Sequence, residues 1–449
     1  MNKYLISPLL LTIFIQGCGG SSSSIPEKPV EPVEYSFSLT SQLINDCGIS
    51  SAFTKVELLL QDDTWQTIAS YKPDENGVIS FVTTNEFINY TLVAENQQGN
   101  EAQGLNVVSF YQASSDTPAH YQAQFDDLID NDTSCECVTQ DLNLDHAPLE
   151  TLASVTSSSH FDSWRVINSE NTLFEGVQVC RTIDGDWPLH SFSVEGLAFN
   201  QKLIAAGNFL DLNVEANIEG VWSLFAKLHA TPYGLTPPYQ EVSSEQLIKG
   251  AKHFSTQVAE GEQSLLVFDN HIHTSENYYQ SQASVTFELS GSIFGTAVSK
   301  TKHQVISTIA EVSLDVMAGQ YKPAFNEPYF DEIKEDGSYD YSAISGYPMA
   351  IINFTFRATD PKTGLPMPAK WTFYGPEKGL LAISAPLTGY DDIIDIKTSK
   401  KSQDVQLIKS KMANNYSDYI KYYQANSALD RTNDFVKDMT AAELRLKFN

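Results

Sequence analysis

The sequence predicts a mainly β protein: an antiparallel sandwich near the N-terminus, a larger antiparallel β domain after it, and a short helical segment at the C-terminal end. Three observations predict this. Short segments rich in β-branched and aromatic residues alternate apolar and polar with period two. Turn chemistry such as Asp74-Glu75-Asn76-Gly77, Asp184-Gly185-Asp186 and Asp336-Gly337 separates them. Beyond about residue 401 glycine disappears and helix formers increase. At 42% hydrophobic and 11% aromatic, the 449-residue chain carries enough apolar mass for a sizeable core. A prior of about 150 residues per domain gives two to three domains. No period of about 20–50 residues recurs, which sets aside a solenoid or propeller.

The first 17 residues read as a secretory signal. Lys3 supplies the positive charge, Leu9 to Ile15 an apolar run, and Gly17 a small residue before the cut. A spanning helix needs roughly 20 apolar residues, and this run is shorter. Cys18 directly after Gly17 resembles the lipobox of bacterial lipoproteins. That resemblance implies cleavage before Cys18, diacylation of its sulfur and acylation of the new amine. It also implies the outer membrane, because Gly19 and not Asp follows the cysteine. Several acyl chains at about 0.8 kcal/mol per buried methylene hold firmly. Residues 18–34 are then a lipidated tether. Ser21 to Ser24 are flexible, Pro26, Pro29 and Pro32 stiffen the chain, and Glu27, Glu31 and Glu34 keep it solvated.

Residues 35–144 form the expected sandwich module. Tyr35 to Leu39 alternates, as does Val56-Glu57-Leu58 before it runs into Leu59-Leu60. The turn at Asp74 to Gly77 leads into the alternating Val78 to Val82, and Tyr90 to Ala94 is a further strand. Lys55 to Leu59, Trp65 to Tyr71, Asp74 to Phe81 and Tyr90 to Val93 together resemble the carboxypeptidase regulatory-like, transthyretin-type β-sandwich. The resemblance implies a small Ig-like module of seven strands with no catalytic residues of its own.

Residues 145–400 are expected to be a large β-rich domain. Strands are predicted over 164–168, 177–183, 209–214, 221–225, 264–268, 283–289, 305–316, 350–356, 370–374 and 380–384. A division into two sandwiches would fall near 320–345, where Pro323, Pro328 and an acidic stretch intervene. Residues 401–449 are expected to be a helical tail. Tyr419, Ile420, Tyr422 and Tyr423 lie close to one helical stripe. Phe435, Met439, Leu444 and Leu446 suggest a second helix, with Thr440 to Glu443 in the form of a capping box. The tail is expected to pack as a cap on the sheet.

With 28 Lys and Arg against 56 Asp and Glu, the net charge of −28 argues against nucleic acid, whose phosphates need clustered cations. Solubility is the simplest reading of that charge. Apart from Cys18, four cysteines remain: Cys47, Cys135, Cys137 and Cys180. An even number in an oxidising compartment predicts disulfides. Cys135 and Cys137 flank Glu136 on one face of an extended stretch, too far apart to bond well. Two longer links to Cys47 and Cys180 are expected, with either assignment open. A metal cage is not expected, because no histidine sits at finger-like spacing and such cages usually use CxxC pairs.

Several constellations carry possible chemistry. Asp269-Asn270-His271-Ile272-His273 resembles the Asp-x-His-x-His strand end of metal-dependent amidohydrolases, which would place His271 and His273 on one metal. That family uses the motif early in a βα barrel, whereas here it follows β-type sequence, so a polar strand face or hairpin rim is the preferred account. Ser299 to Lys302 and Lys362-Thr363-Gly364 match fragments of the serine penicillin-binding pattern, without its Ser-x-Asn element between them. Asp127, Asp130 and Asp132 lie just before Cys135, where calcium would order the loop. Further acidic groups surround Asp331 to Asp340 and Asp391 to Asp395. Trp187, Tyr233, Tyr239, Tyr278, Tyr279 and Tyr347 are candidate loop aromatics for stacking on sugar rings.

The function expected from these features is that of an outer-membrane-anchored lipoprotein, a non-enzymatic binding or scaffold module for an envelope protein or surface polysaccharide. No cofactor is expected other than possible calcium, and no nucleic acid partner. The alternatives are a metal-dependent hydrolase using His271 and His273, and a calcium-dependent adhesion protein.

Overall fold

The computed structural model describes residues 32–44, 47, 49–98, 101–123, 135–145, 151–157, 160–169, 171–185, 190–198, 201–209, 223–224, 227–229, 241–248, 251–258, 264–266, 277–289, 293–305, 333, 336–343, 346–360, 363–391, 393–394, 400–410, 413–425 and 439–448. In chain order the first strands are β1 (Tyr35–Ile44), β2 (Ser50–Ala52), β3 (Val56–Gln61), β4 (Thr67–Tyr71), β5 (Val78–Thr83), β6 (Phe87–Gln98), β7 (Glu101–Ser114) and β8 (Ala119–Ala123). Then come β9 (Cys135–Asp145), β10 (Thr151–Ser157), β11 (Ser163–Val166), β12 (Asn171–Thr182), β13 (His190–Ala198), β14 (Gln201–Phe209), β15 (Ser223–Leu224) and β16 (Lys227–His229). They are followed by β17 (Glu241–Ile248), β18 (Ala251–Val258), β19 (Ser264–Leu266), β20 (Asn277–Leu289), β21 (Ile293–Val305) and β22 (Ser338–Asp340). The last are β23 (Met349–Thr359), β24 (Pro366–Gly375), β25 (Lys378–Leu380), β26 (Lys400–Ser410), helix α1 (Tyr416–Ala425) and β27 (Met439–Phe448). The protein is mainly β, in several antiparallel and mixed sheets, with one short α-helix near the C-terminal end among the described residues.

One 12-stranded sheet runs in the order β18-β17-β20-β21-β27-β26-β23-β24-β7-β6-β3-β4. Its pairings are antiparallel except for β24 with β7, which is parallel. Strands from the 35–144 stretch and from the 145–400 stretch therefore lie in one sheet. A second sheet, β2-β1-β5 with β8 on β1, covers one face of β3, β6 and β7. A third, β11-β12-β9, carries most of the cysteines.

The apolar run at Val56 to Leu60 has a direct explanation in this arrangement. Successive strand residues point to opposite faces, and both faces of β3 are covered. Val56 and Leu58 join Phe37, Leu39, Ile79, Tyr90, Leu92 and Phe110 in a core against the β1 sheet. Leu59 points the other way, with Val93, Val107, Ile352, Phe354, Trp371 and Phe373, beneath the segment that holds Tyr339 and Leu381. The alternation slips in β7, where Gln112 takes a positive φ of 44° and the register shifts. Its amide donates to Asn89 Oδ1 at 2.7 Å. Such a bulge turns Phe110 and Ala113 onto the same core.

Between the two faces runs a buried polar chain in which each named donor has an acceptor. Trp371 Nε1 donates to Ser109 Oγ at 2.8 Å, and Ser109 and Thr91 hydroxyls meet at 2.7 Å. Thr91 donates to Gln61 Oε1 at 2.6 Å, and Gln61 Nε2 donates to the Trp65 carbonyl at 2.9 Å. Trp65 itself is fully buried with φ of 64°, and its indole N–H donates to the Leu380 carbonyl at 2.8 Å. The turn before it is held by Asp62 Oδ1, which accepts from the amides of Thr64 and Gln66 and from the Thr64 hydroxyl. The Thr64 hydroxyl and the Gln66 amide keep the Asp62 carboxyl below its usual range.

The Asp74 turn behaves as its sequence suggests. Asp74 Oδ1 accepts from the amides of Asn76 and Val78, and Gly77 sits at φ of 76°. A Cβ on Gly77 would lie 2.3 Å from the Ser41 carbonyl oxygen, on the backbone of β1. Gly77→Ala is therefore expected to lower stability by roughly 1–3 kcal/mol, read from the midpoint of urea unfolding. An unchanged midpoint would mean that this turn yields freely.

The C-terminal tail departs from expectation in two places. Residues 400–410 form a strand whose Gln403, Val405 and Leu407 are buried on alternate positions. Residues 439–448, expected as a helix, form β27 between β21 and β26. Glu443-Leu444-Arg445-Leu446-Lys447-Phe448 alternates strictly, and two neighbouring strands offer it ladders on both sides, which outweighs helix propensity. Thr440 pairs with Lys409 in that ladder and does not open a helix. The predicted strand at 380–384 is corrected to the end of β25 followed by a 3-10 turn, Ala382–Ser384.

Helix α1 is present and packs as a cap. Asn415 Oδ1 accepts from the Asp418 amide and Asn415 Nδ2 donates to Asp418 Oδ2, a reciprocal cap at its start. Ile420 enters the core against β1, and the Tyr416 hydroxyl donates to the carbonyls of Tyr111 and Tyr374. Gln424 closes a two-way bond with the Ser114 backbone at 3.0 and 3.1 Å.

Candidate functional site

The small sheet β11-β12-β9 brings together the two features with most chemical potential. Ten residue pairs join β9 and β12, with one register shift between Phe174 and Val177. Cys137 stands directly opposite Cys180, and Cys135 opposite Thr182. Cys137 pairs with Cys180, with Cα atoms 4.0 Å apart, and Cys47 from the turn after β1 pairs with Cys135 at 5.9 Å. Register thus selects one of the two assignments that the sequence leaves open. Glu136 and Arg181 alternate with the cysteines and clamp the other face, with guanidinium to carboxylate contacts of 2.8 and 3.0 Å.

The other edge of this sheet is β11. All four of its residues are exposed. Ser163 and Arg165 both reach Glu175 on β12, at 2.7 and 3.1 Å. Those partners hold the Glu175 carboxyl below its usual range, the Ser163 hydroxyl contributing most. By alternation Trp164 and Val166 take the opposite face. Trp164 is 36% exposed and Val166 and Ile167 each 49%, so apolar surface is displayed along a strand paired on one side only among the described residues. The pinning by Glu175 is present above the ordinary glutamate range and is lost as pH falls through the lowered value. The protection factors of the β11 amides, corrected for intrinsic exchange, are therefore expected to fall as pH drops below the ordinary glutamate range while those of β12 hold. An equal fall in both strands would show that Glu175 does not govern the edge.

The remaining predicted sites distribute as follows. Cys18, Asp127, Asp130, Asp132, Asp269, His271 and His273 lie outside the described residues, as do Trp187, Tyr233 and Tyr239. Tyr278 and Tyr279, read from sequence as loop aromatics, lie within β20. Tyr347 packs partly buried against the core, with the Lys409 ammonium 5.0 Å from its ring centre. Ser299 and Lys300 lie within β21, a strand. Thr363 donates to Asp360 Oδ2 at 2.7 Å and Gly364 has φ of 69°, so that stretch is a turn. Asp336 and Asp340 each accept from the amide two residues on, ordinary turn bonds.

Sequence reasoning reads a strand at 164–168 but misses its exposed edge. The signal available is the alternation Ser163-Trp164-Arg165-Val166, which places two polar and two apolar residues on opposite faces. Whether the apolar face is covered depends on what packs above it, which pattern alone does not carry. No protein-family model matches the chain, and no curated protein matches it.

Proposed function

We propose that this chain is an outer-membrane-anchored lipoprotein that works as a non-enzymatic binding or scaffold module for an envelope protein or a surface polysaccharide. The signal, Cys18 and the tether of residues 18–34 support the anchoring part. The observation that carries the binding part is the exposed edge β11, with Trp164, Val166 and Ile167 on the surface of a cross-linked sheet. An edge strand offers unpaired backbone donors and acceptors, and an adjacent aromatic adds area for contact. The net charge of −28 disfavours polyanionic ligands held by general electrostatics.

The test begins with protease treatment of intact cells, followed by blotting for residues beyond the tether. Loss of the folded part supports capture of external material, and protection until the outer membrane is opened supports an envelope scaffold. Cys18→Ser is expected to abolish fatty-acid labelling and leave the precursor uncleaved. Unchanged labelling would overturn the anchoring. For binding, the folded part is immobilised and offered surface polysaccharide and envelope extract from the expressing bacterium. Trp164→Asp with Val166→Lys should abolish retention. Equal retention by both forms, or none by either, would overturn the edge as the binding surface.

A further inference from the structure

The four disulfide cysteines do more than pair. The sulfurs of Cys47, Cys135, Cys137 and Cys180 all lie within 4.8 Å of one another, and those of Cys135 and Cys137 are 4.0 Å apart although no bond joins them. A tetrahedral zinc held by four thiolates, with Zn–S of about 2.3 Å, has sulfurs about 3.8 Å apart. Reduction would let the two bonded pairs open toward that spacing, and the other sulfurs need to close by at most about 1 Å to reach it. We propose that the cluster is a two-state site: two disulfides when oxidised, and a tetrathiolate site for one zinc-class ion when reduced.

Three of the four ligands are held independently of the disulfides. Cys135, Cys137 and Cys180 sit on a ladder of ten residue pairs, and the Glu136–Arg181 clamp binds the same two strands from the other face. Breaking the sulfur bonds leaves that ladder in place. Cys47 arrives from a different sheet, at the end of β1. A metal would take over the role of the Cys47–Cys135 link in tying the β1 sheet to the β9–β12 sheet. Cys137 is exposed and the others are partly so, which admits both reductant and ion. Thiolate sulfur selects soft, tetrahedral ions over calcium or magnesium.

The conversion balances. Each disulfide takes two electrons and two protons from a dithiol, which leaves as its own disulfide, giving four thiols in all. Binding of one divalent ion then expels four protons and leaves a site of net charge −2, so uptake strengthens as pH rises.

The test uses the full chain with Cys18→Ser, which leaves these four cysteines as the only thiols. A water-soluble phosphine reduces both disulfides and becomes its oxide, and Co²⁺ is added without oxygen. The expected result is one Co²⁺ per chain, with thiolate-to-cobalt charge transfer and the visible bands of a tetrahedral ion, all displaced by equimolar Zn²⁺. The oxidised chain should show none of these bands, and Cys137→Ser with Cys180→Ser should abolish the four-thiolate spectrum in the reduced chain. Near-UV circular dichroism from the Trp65 and Trp371 core reports folding in parallel. If the reduced chain keeps that signal yet shows no thiolate bands, the proposal fails. If reduction removes the signal, Zn²⁺ must restore it, and failure to restore it equally overturns the proposal.

Discussion

Replacing Trp371 with alanine is expected to cost about 3–5 kcal/mol of folding stability. Trp371 is 1% exposed and belongs to the core under the 12-stranded sheet. It lies on β24 opposite Val107 of β7 and Phe354 of β23, so it bridges the parallel seam between early and late parts of the chain. Truncation loses the transfer free energy of the indole and leaves a cavity that a close-packed sheet fills only in part. It also removes the donor to Ser109 Oγ at 2.8 Å, at one end of the chain through Thr91 and Gln61 to Trp65. Trp371→Phe separates the two effects: it keeps most of the volume and should cost about 1–3 kcal/mol, through the smaller ring and the lost donor to Ser109 Oγ, whose hydroxyl keeps its bond with Thr91. Urea unfolding followed by tyrosine and tryptophan fluorescence measures both. A loss under about 1 kcal/mol in the alanine variant would show that the seam does not unfold with the rest of that core.

Removing the Cys47–Cys135 link by Cys47→Ala with Cys135→Ala is the second large effect, about 4–5 kcal/mol. The two cysteines are 88 residues apart, and in the chain-entropy account a link of that span removes this much freedom from the unfolded chain. The link also joins two sheets whose described strands do not pair with each other. The Cys137–Cys180 link spans 43 residues and should contribute slightly less, about 4 kcal/mol. Its loss should be partly masked, because the β9–β12 ladder and the Glu136–Arg181 pair hold the same strands together. Thermal unfolding without reductant distinguishes the two double variants. A larger loss from the Cys137–Cys180 pair would reverse this reading. Cleavage after Glu136 separates Cys135 from Cys137, so peptide mapping reports the pairing directly.

Much of the architecture is legible in short stretches of residues, and the exceptions are instructive. Tyr35 to Leu39 and Val78 to Val82 alternate because one face of each meets a core and the other meets water. Val56 to Leu60 loses that alternation, and the loss itself signals cover on both faces. Residues 439–448 mislead for a different reason. Alanine, leucine, glutamate and lysine favour a helix in isolation, yet β21 and β26 leave a strand-sized gap that satisfies more backbone groups than a lone terminal helix would. The tyrosine stripe at 419–423 does form a helix, because Ile420 enters the core between β7 and the β1 sheet, Gln424 bonds Ser114 of β7, and Tyr419 packs against Met349, Ile351 and Ile408 of β23 and β26.

The cysteines and the edge strand divide most clearly between the two levels. By itself, the sequence determines the mainly β class, the turns at Asp74 and Asp336, and the expectation that Cys135 and Cys137 each bond elsewhere. All of these follow from contacts within a few residues, where side-chain direction and turn chemistry act locally. Only tertiary structure decides that Cys137 meets Cys180, that four sulfurs converge within 4.8 Å, and that Trp164 and Val166 remain uncovered. These depend on strand register and on what packs over a face, and both are set by the sum of long-range contacts across the sheet rather than by any single segment.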